Sequence, residues 1–378
     1  MNRILFSTIT GSTCYGTNIP ESDVDIRGVF LAPPEQYLGY HPVVGGDKCQ
    51  SLGELIQKIE KFSHLGTFHI ARKSYPNIED TKDIELLEFK KFVQLAANNN
   101  PNVLELLFIP RSFFLYSSKE WEKVLDTRYA FLSKRCKHTF TGYAHSQLSR
   151  IETHRGWLLN PPKAPPTRDK FGLPEMPLLG KDARGAAESL LLKEQGLAEF
   201  KSSEPLPPGT LDRIGEVIDN IILKLGSNKG ELRKAAASAL GMDSNLLEYL
   251  DKEQAFKSAV RHWNQYQDWI TNRNPIRAAL EAKCGYDSKH GGYLIRLMRM
   301  GLEILNKHDL FVDRSQIDAQ ELKEIRQGNW SYEKLMDECN RLNLLIEEAY
   351  IVSKLRAKPD TKHIDLMCGN IMKGYING

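Results

Sequence analysis

Two strand-like runs, Arg3–Thr10 (RILFSTIT) and residues 24–32 (VDIRGVFLA), flank a short connection that opens with Gly11-Ser12 and closes with Ser22-Asp23. Both runs carry the β-branched and aromatic content of strands. The chain therefore starts as a strand that enters Gly-Ser, makes a short helical turn and leaves through Asp-x-Asp into the next strand. Each part has a physical use. Gly11 leaves room for the backbone to approach a phosphate, and Ser12 with the neighbouring N–H groups can donate hydrogen bonds to it. Asp23 and Asp25 alternate along a strand, so both side chains point to one face. Two carboxylates on one face make a hard oxygen site suited to Mg²⁺ bridging substrate phosphates. A third acid from a neighbouring strand would complete a two-metal site, and Asp83 and Glu85, again two apart, are the candidates. The competing reading is structural, since Gly-Ser turns are common and Asp-x-Asp at a strand start also caps and solvates an edge.

Beyond these strands, residues 83–87 read as a short strand or a helical turn. Phe89–Ala97 is apolar at helical spacing and stops at Asn98-Asn99-Asn100-Pro101, a helix breaker. Residues 102–108 fit a helical turn or a strand equally well. From about Ser117 the pattern is almost wholly helical. Phe140, Ala144, Leu148, Ile151 and Leu158 mark one long amphipathic helix ending at Asn160-Pro161-Pro162. The proline-rich stretch at about 160–180 reads as an extended ordered loop or lid. Helices are then expected at 184–200, 211–225, 231–240, 245–271 and 293–306. The expected fold class is α+β. A small mixed-sheet head spans residues 1–116, and a larger α-helical domain spans 117–378.

Composition narrows the class. The 378 residues suit two domains or one large one, and 41% hydrophobic with 26% charged residues allows a sizeable core. No apolar run is long enough for a membrane helix, and the N-terminus reads as a strand, not a signal peptide. The six cysteines show no Cys-x-x-Cys pair and no zinc spacing, which points to reduced thiols and a cytoplasmic location. A net charge of +3 from 51 basic and 48 acidic residues does not by itself call for nucleic acid.

The joint spacing of Gly11-Ser12, Gly16-Thr17 and Ser22-Asp23-Val24-Asp25 resembles the DNA polymerase beta-type nucleotidyltransferase superfamily. Lys90-Lys91-Phe92 with the run from Asn100-Pro101-Asn102 to Glu105-Leu106-Leu107 is similar to its RNA-ligase-associated (RNA repair pathway) branch. So are Gly142-Tyr143-Ala144-His145 through Arg150-Ile151 with His154-Arg155, and Tyr286-Asp287-Ser288-Lys289-His290 ahead of Leu294-Ile295-Arg296-Leu297. Residues 163–274 match nothing in it. The resemblance implies transfer of a nucleoside monophosphate from an NTP to a hydroxyl, with pyrophosphate leaving. It implies Asp23 and Asp25 as holders of two Mg²⁺ or Mn²⁺ ions and prefers Asp83 as third acid, with Glu85 the alternative. Gly11, Ser12, Thr13, Ser22 and Lys289 would bind the nucleotide. An RNA end as acceptor and an RNA ligase in the same pathway follow from the branch.

On the long helix, Tyr143, Gln147, Arg150, His154 and Trp157 form a second stripe beside the apolar one. It fits a phosphodiester backbone or stacked base, or else a hydrogen-bonded seam with Trp157 buried. A second cluster, Lys289, His290, Tyr293, Arg296 and Arg299, can clamp a triphosphate or an RNA end phosphate. Its alternative is ion pairing with Glu303 and Asp287. Arg150, His154, Arg155, His290 and Arg296 are thus the candidate acceptor-binding residues. His64 and His69 are assigned ordinary surface or core roles. Two other functions stay open: adenylylation of a protein or small molecule, and a sensor that binds NTP without turning it over.

Overall fold

The computed structural model describes residues 2–19, 22–40, 43–61, 66–68, 83–180 and 243–377, with scattered positions between 182 and 241. Most of 184–225 and of 231–240, where helices are expected, lies outside the described residues, as do His64 and His69. The described chain forms two compact units, Met1–Leu159 with Asn274–Gly378, and Asn160–Arg273.

The first unit contains a six-stranded mixed sheet. Its strands are β1 (Arg3–Thr10), β2 (Asp25–Leu31), β3 (Gly46–Cys49), β4 (Gly66–Phe68), β5 (Ile84–Glu88) and β6 (Phe114–Ser118), in the spatial order β3-β5-β2-β1-β6-β4. β2 and β5 run parallel and every other pair is antiparallel. Alternation along β2 sends Ile26 and Phe30 to one face and Val29 and Leu31 to the other, where they join different cores. A register shift between Ile4 and Phe6 interrupts this alternation in β1, and Leu5 and Phe6 both enter the same core.

The short helices of this unit are α1 (Gly11–Cys14), α2 (Pro34–Leu38), α3 (Leu52–Glu60), α4 (Phe89–Ala97), α5 (Pro101–Leu104) and α6 (Lys119–Asp126). Helix α3, capped by the Ser51 hydroxyl accepting from Glu54 N, covers one sheet face with Leu52, Leu55 and Ile59. The other face packs Phe6 flat on Trp121 of α6, with ring centroids 4.3 Å apart. That core continues into the long helix α7 (Cys136–Leu159) and the elements that follow residue 274. Burying a ring pair of this kind adds about 0.5–1.5 kcal/mol beyond its area.

The second unit holds helix α8 (Ser244–Thr271) and the proline-rich stretch, which is irregular apart from one 3₁₀ turn at Asp169–Phe171. Its buried charge is settled locally: Glu253 accepts from Arg168, Arg184 and Tyr249 at 2.5, 2.7 and 2.8 Å.

Returning to the first unit, α9 (Pro275–Cys284), α10 (Ser288–Lys307), α11 (Ala319–Arg326), α12 (Tyr332–Val352) and α13 (Thr361–Asn377) complete the helical part. α10 is its centre. Asp287 caps it by accepting from Lys289 N and His290 N at 3.0 and 3.2 Å. Gly301 lets α10 approach α7, since a Cβ there would lie 3.0 Å from Phe140 Cβ. The C-terminal tail docks on the core through Ile364, Met367, Ile371 and Met372.

An α+β fold with a mixed sheet first and a larger helical part after it is what the sequence pattern predicts. Residues 102–108 resolve as helical, α5 followed by a 3₁₀ turn at Glu105–Leu107. Strand β6 falls where the pattern turns helical, because all five of its residues are buried and show no period-two signal. All six cysteines are free thiols, and no described helix is long and apolar enough to cross a membrane.

Candidate nucleotide-binding cleft

Gly11 enters α1 with φ +67°, and a Cβ on it would lie 2.0 Å from Asp25 Oδ2. The glycine therefore meets two demands together, a left-handed backbone and direct contact with a carboxylate from the adjoining strand. Gly11→Ala is expected to cost about 1–2 kcal/mol from the backbone alone and to push the Asp25 carboxylate out of place. A urea unfolding midpoint equal to the parent's would contradict that geometry.

Asp25 stands opposite Thr10 in the β1–β2 ladder, and Thr10 Oγ1 donates to its carbonyl at 3.3 Å. Across the parallel pair, Ile26 N donates to Asp83 O at 3.0 Å, so Asp83 stands beside Asp25 at the same end of the sheet. Burial, and then the charges of Asp83 and Asp23, push the Asp25 carboxyl above its ordinary range. Asp83 and Asp23 therefore lie within electrostatic range of Asp25, with Asp25 partly covered and Asp23 and Asp83 exposed. Glu85 is engaged elsewhere, 3.7 Å from Arg27 and 3.4 Å from Lys48.

Asp25, Gly11, Thr10 and Tyr15 line a cavity of roughly 260 Å³, completed by Glu105 and by Tyr143, Gln147 and Arg150 of α7. From α10 come His290, Tyr293 and Arg296. Lys289 lies one residue away on the same turn, and its charge acts on Asp25. The stripe expected on α7 divides in two. Its first part faces the cleft, with Tyr143 Oη accepting from Asn100 Nδ2 at 2.6 Å and Gln147 Oε1 2.7 Å from His290 Nδ1. Its second part is packed: Trp157 is buried and stacked on His154, whose Nδ1 lies 3.6 Å from Asp287 Oδ2. Arg155 donates to Gly285 O at 2.9 Å and lies over the Tyr332 ring.

Around the capping residue Asp287, burial opposes its charge, yet His154, His290 and the capping amide hold its carboxyl at about 2. Burial pushes the His290 imidazole down to about 4, so it is neutral at pH 7. His154, Asp287 and Glu281 also bring one ligand atom each within 4.8 Å of one another.

The other expected residues have specific contacts. Ser22 Oγ accepts from Ile19 N at 3.0 Å and closes the turn before Asp23. Ser12 O accepts from Thr17 N at 2.9 Å, tying the start of α1 to the loop behind it. Arg299 pairs with Asp318, Glu321 and Glu338, whereas Glu303 goes to Arg314. Arg296 is buried, with Nη1 2.5 Å from Glu105 Oε1 and its guanidinium 3.8 Å above the Tyr15 ring. Tyr15 Oη donates to the other Glu105 oxygen at 2.6 Å. Burial, reinforced by Glu105, pushes that hydroxyl well up, so it remains a proton donor. Sequence reasoning gave Glu105 no role. The available signal was an acid inside the otherwise apolar run Val103–Phe108, which marks a buried pair.

Residues 1–157 are similar to the RlaP family model, described as the RNA repair pathway DNA polymerase beta family. The match spans less than half of the 378-residue chain. The chain is also 29% identical over 142 residues to an uncharacterized 38.9 kDa protein in the nrdC-mobD intergenic region of Enterobacteria phage T4. The alignment covers 37% of this chain and 36% of that protein, little more than a third of either. No solved structure matches the chain.

Proposed function

We propose that the protein transfers a nucleoside monophosphate from an NTP to a hydroxyl, with an RNA end as acceptor. The observation that carries this reading is Asp25 against the Gly11 turn, lining a cleft with Arg150 and in electrostatic range of Asp23, Asp83 and Lys289. Three carboxylates that repel one another are the donor set a hard divalent cation needs. Asp23, Asp25 and Asp83 would hold Mg²⁺ or Mn²⁺, which supplies charge neutralisation at the reacting phosphate.

The chain's own groups bind and orient. Gly11 leaves the backbone open to the phosphates, and Ser12 and Thr13 follow it in the first turn of α1, where their hydroxyls would bind the nucleotide. Lys289 adds a positive charge opposite Asp25. In the reaction the acceptor hydroxyl gives up its proton to solvent, its oxygen forms a bond to the α-phosphorus, the bond from that phosphorus to the bridging oxygen breaks, and pyrophosphate departs. Arg150, exposed on α7 above the cleft with His290 and Gln147 behind it, suits the phosphate of an incoming strand.

The test offers each α-³²P-labelled NTP with Mg²⁺ or Mn²⁺ and a pool of small RNAs, with the Asp23→Asn/Asp25→Asn variant as control. Label on RNA is expected, and its yield should fall steeply as salt rises, because phosphate-dominated binding releases counterions. Label confined to protein would replace the RNA acceptor by a protein acceptor. Retained NTP binding with no label anywhere would overturn the transferase reading in favour of a sensor.

A further inference from the structure

The arginines packed around α10 and α11 differ in how their charge is met. Arg296 has Glu105, Arg299 has three carboxylates, and Arg314 has Glu303 and Asp318. Arg326, among the described residues, has no carboxylate partner. Its Nη1 donates to Thr17 O at 2.5 Å and approaches Thr17 Oγ1 at 3.3 Å, and among the described residues the rest of the guanidinium fork has no hydrogen-bond acceptor. The side chain is part-buried. A guanidinium drawn out of water without a counter-charge is costly unless an anion completes it.

Its position is fixed from both ends. The Arg326 carbonyl accepts from Ser288 Oγ at 2.8 Å, next to Lys289. Gly292 leaves space for the stem, since a Cβ there would lie 3.0 Å from Arg326 Cγ. At the far end the fork reaches Thr17, whose N–H donates to Ser12 O. Arg326 therefore spans from the Lys289 turn to the loop that starts at Gly11-Ser12, with Asp23 and Arg277 in electrostatic range. Burial and the Arg277 charge pull its pKa below the ordinary value, as expected of a cation short of counter-charge. Arg277 is exposed on α9.

We propose that Arg326, with Arg277 outside it, is a polyphosphate clamp on the loop that follows the Gly11-Ser12 turn, gripping the β- and γ-phosphates of the NTP and the pyrophosphate as it leaves. The identity of the ligand rests on the transferase reading; the anion subsite does not. A planar fork bolted to the glycine loop suits bidentate contact with phosphate oxygens better than a lysine would.

The experiment measures binding of inorganic tripolyphosphate by calorimetry, without acceptor or divalent ion, to the parent, Arg326→Ala, Arg326→Lys and Arg277→Ala. Arg326→Ala should weaken binding by about tenfold or more, the loss expected for a charge-assisted hydrogen bond. Arg326→Lys should recover part of it, and Arg277→Ala, at an exposed position, should cost about two- to fivefold with an unchanged Tm. In the transfer assay Arg326→Ala should raise KM for NTP more than it lowers kcat. Tripolyphosphate binding equal to the parent's in both Arg326→Ala and Arg277→Ala overturns the clamp. If Arg326→Ala fails to fold, Arg277→Ala and Arg326→Lys decide the matter. Weakened tripolyphosphate binding in these variants, from a parent that transfers no label, would sustain the subsite and remove the transferase reading instead.

Discussion

Asp25→Asn should lower nucleotidyl transfer by about three orders of magnitude, each factor of ten being about 1.4 kcal/mol of lost transition-state stabilisation. The same substitution should leave the Tm unchanged or raise it when measured in chelator. The reason is the arrangement at the sheet end, where Asp25 shares its surroundings with Asp83 and Asp23. Those like charges oppose one another in the folded chain, and an isosteric amide removes one of them while keeping the contact beside Gly11. Activity and stability are therefore expected to move in opposite directions, which a structural carboxylate would not produce. Full activity in Asp25→Asn, or a large fall in Tm with it, would remove Asp25 from the chemistry. Glu85→Gln should have little effect on transfer, because that carboxylate is engaged by Arg27 and Lys48.

How much of this was readable in advance depends on the distance over which each signal acts. Strand β1 and helix α4 carry the residues the pattern predicts, Arg3–Thr10 and Phe89–Ala97, because strand content or apolar spacing and a nearby breaker lie in one stretch of chain. The Gly-Ser and Asp-x-Asp elements were legible for the same reason: they occupy one connection and its flanks. β3 was not legible, since Gly46-Asp47-Lys48-Cys49 has neither β-branched nor aromatic residues and forms an edge of the sheet by pairing with β5. The α7 stripe was visible as a periodicity, but sequence could not divide it. What assigns Gln147 to the cleft and His154 to the packed end is where His290 and Asp287 stand, more than a hundred residues along. Arg326 is the extreme case. Nothing near it in sequence marks it, and its meaning comes from Thr17, 309 positions away.

Arg296 shows the same limit, and it carries the second large prediction. Sequence placed it among acceptor-binding residues by its helical spacing from Lys289. The fold buries it against Glu105 and Tyr15, with its Nε lacking a hydrogen-bond partner among the described residues. Removing one member of a buried ion pair strands the other, so Glu105→Ala should destabilise the protein by about 3–5 kcal/mol in urea unfolding. It also leaves the Tyr15 hydroxyl without its acceptor, and Tyr15 immediately follows α1. The double substitution Glu105→Leu/Arg296→Met should recover most of that loss, since apolar groups of similar volume replace the pair without leaving a charge behind. A cost below about 1 kcal/mol for Glu105→Ala would mean that Arg296 keeps access to water without its partner. Combined with weaker RNA binding in Arg296→Met, that result would return Arg296 to the acceptor surface. Near-full recovery in the double variant, with RNA affinity intact, fixes it as the strut that sets the floor of the cleft and holds the loop behind the Gly11 turn.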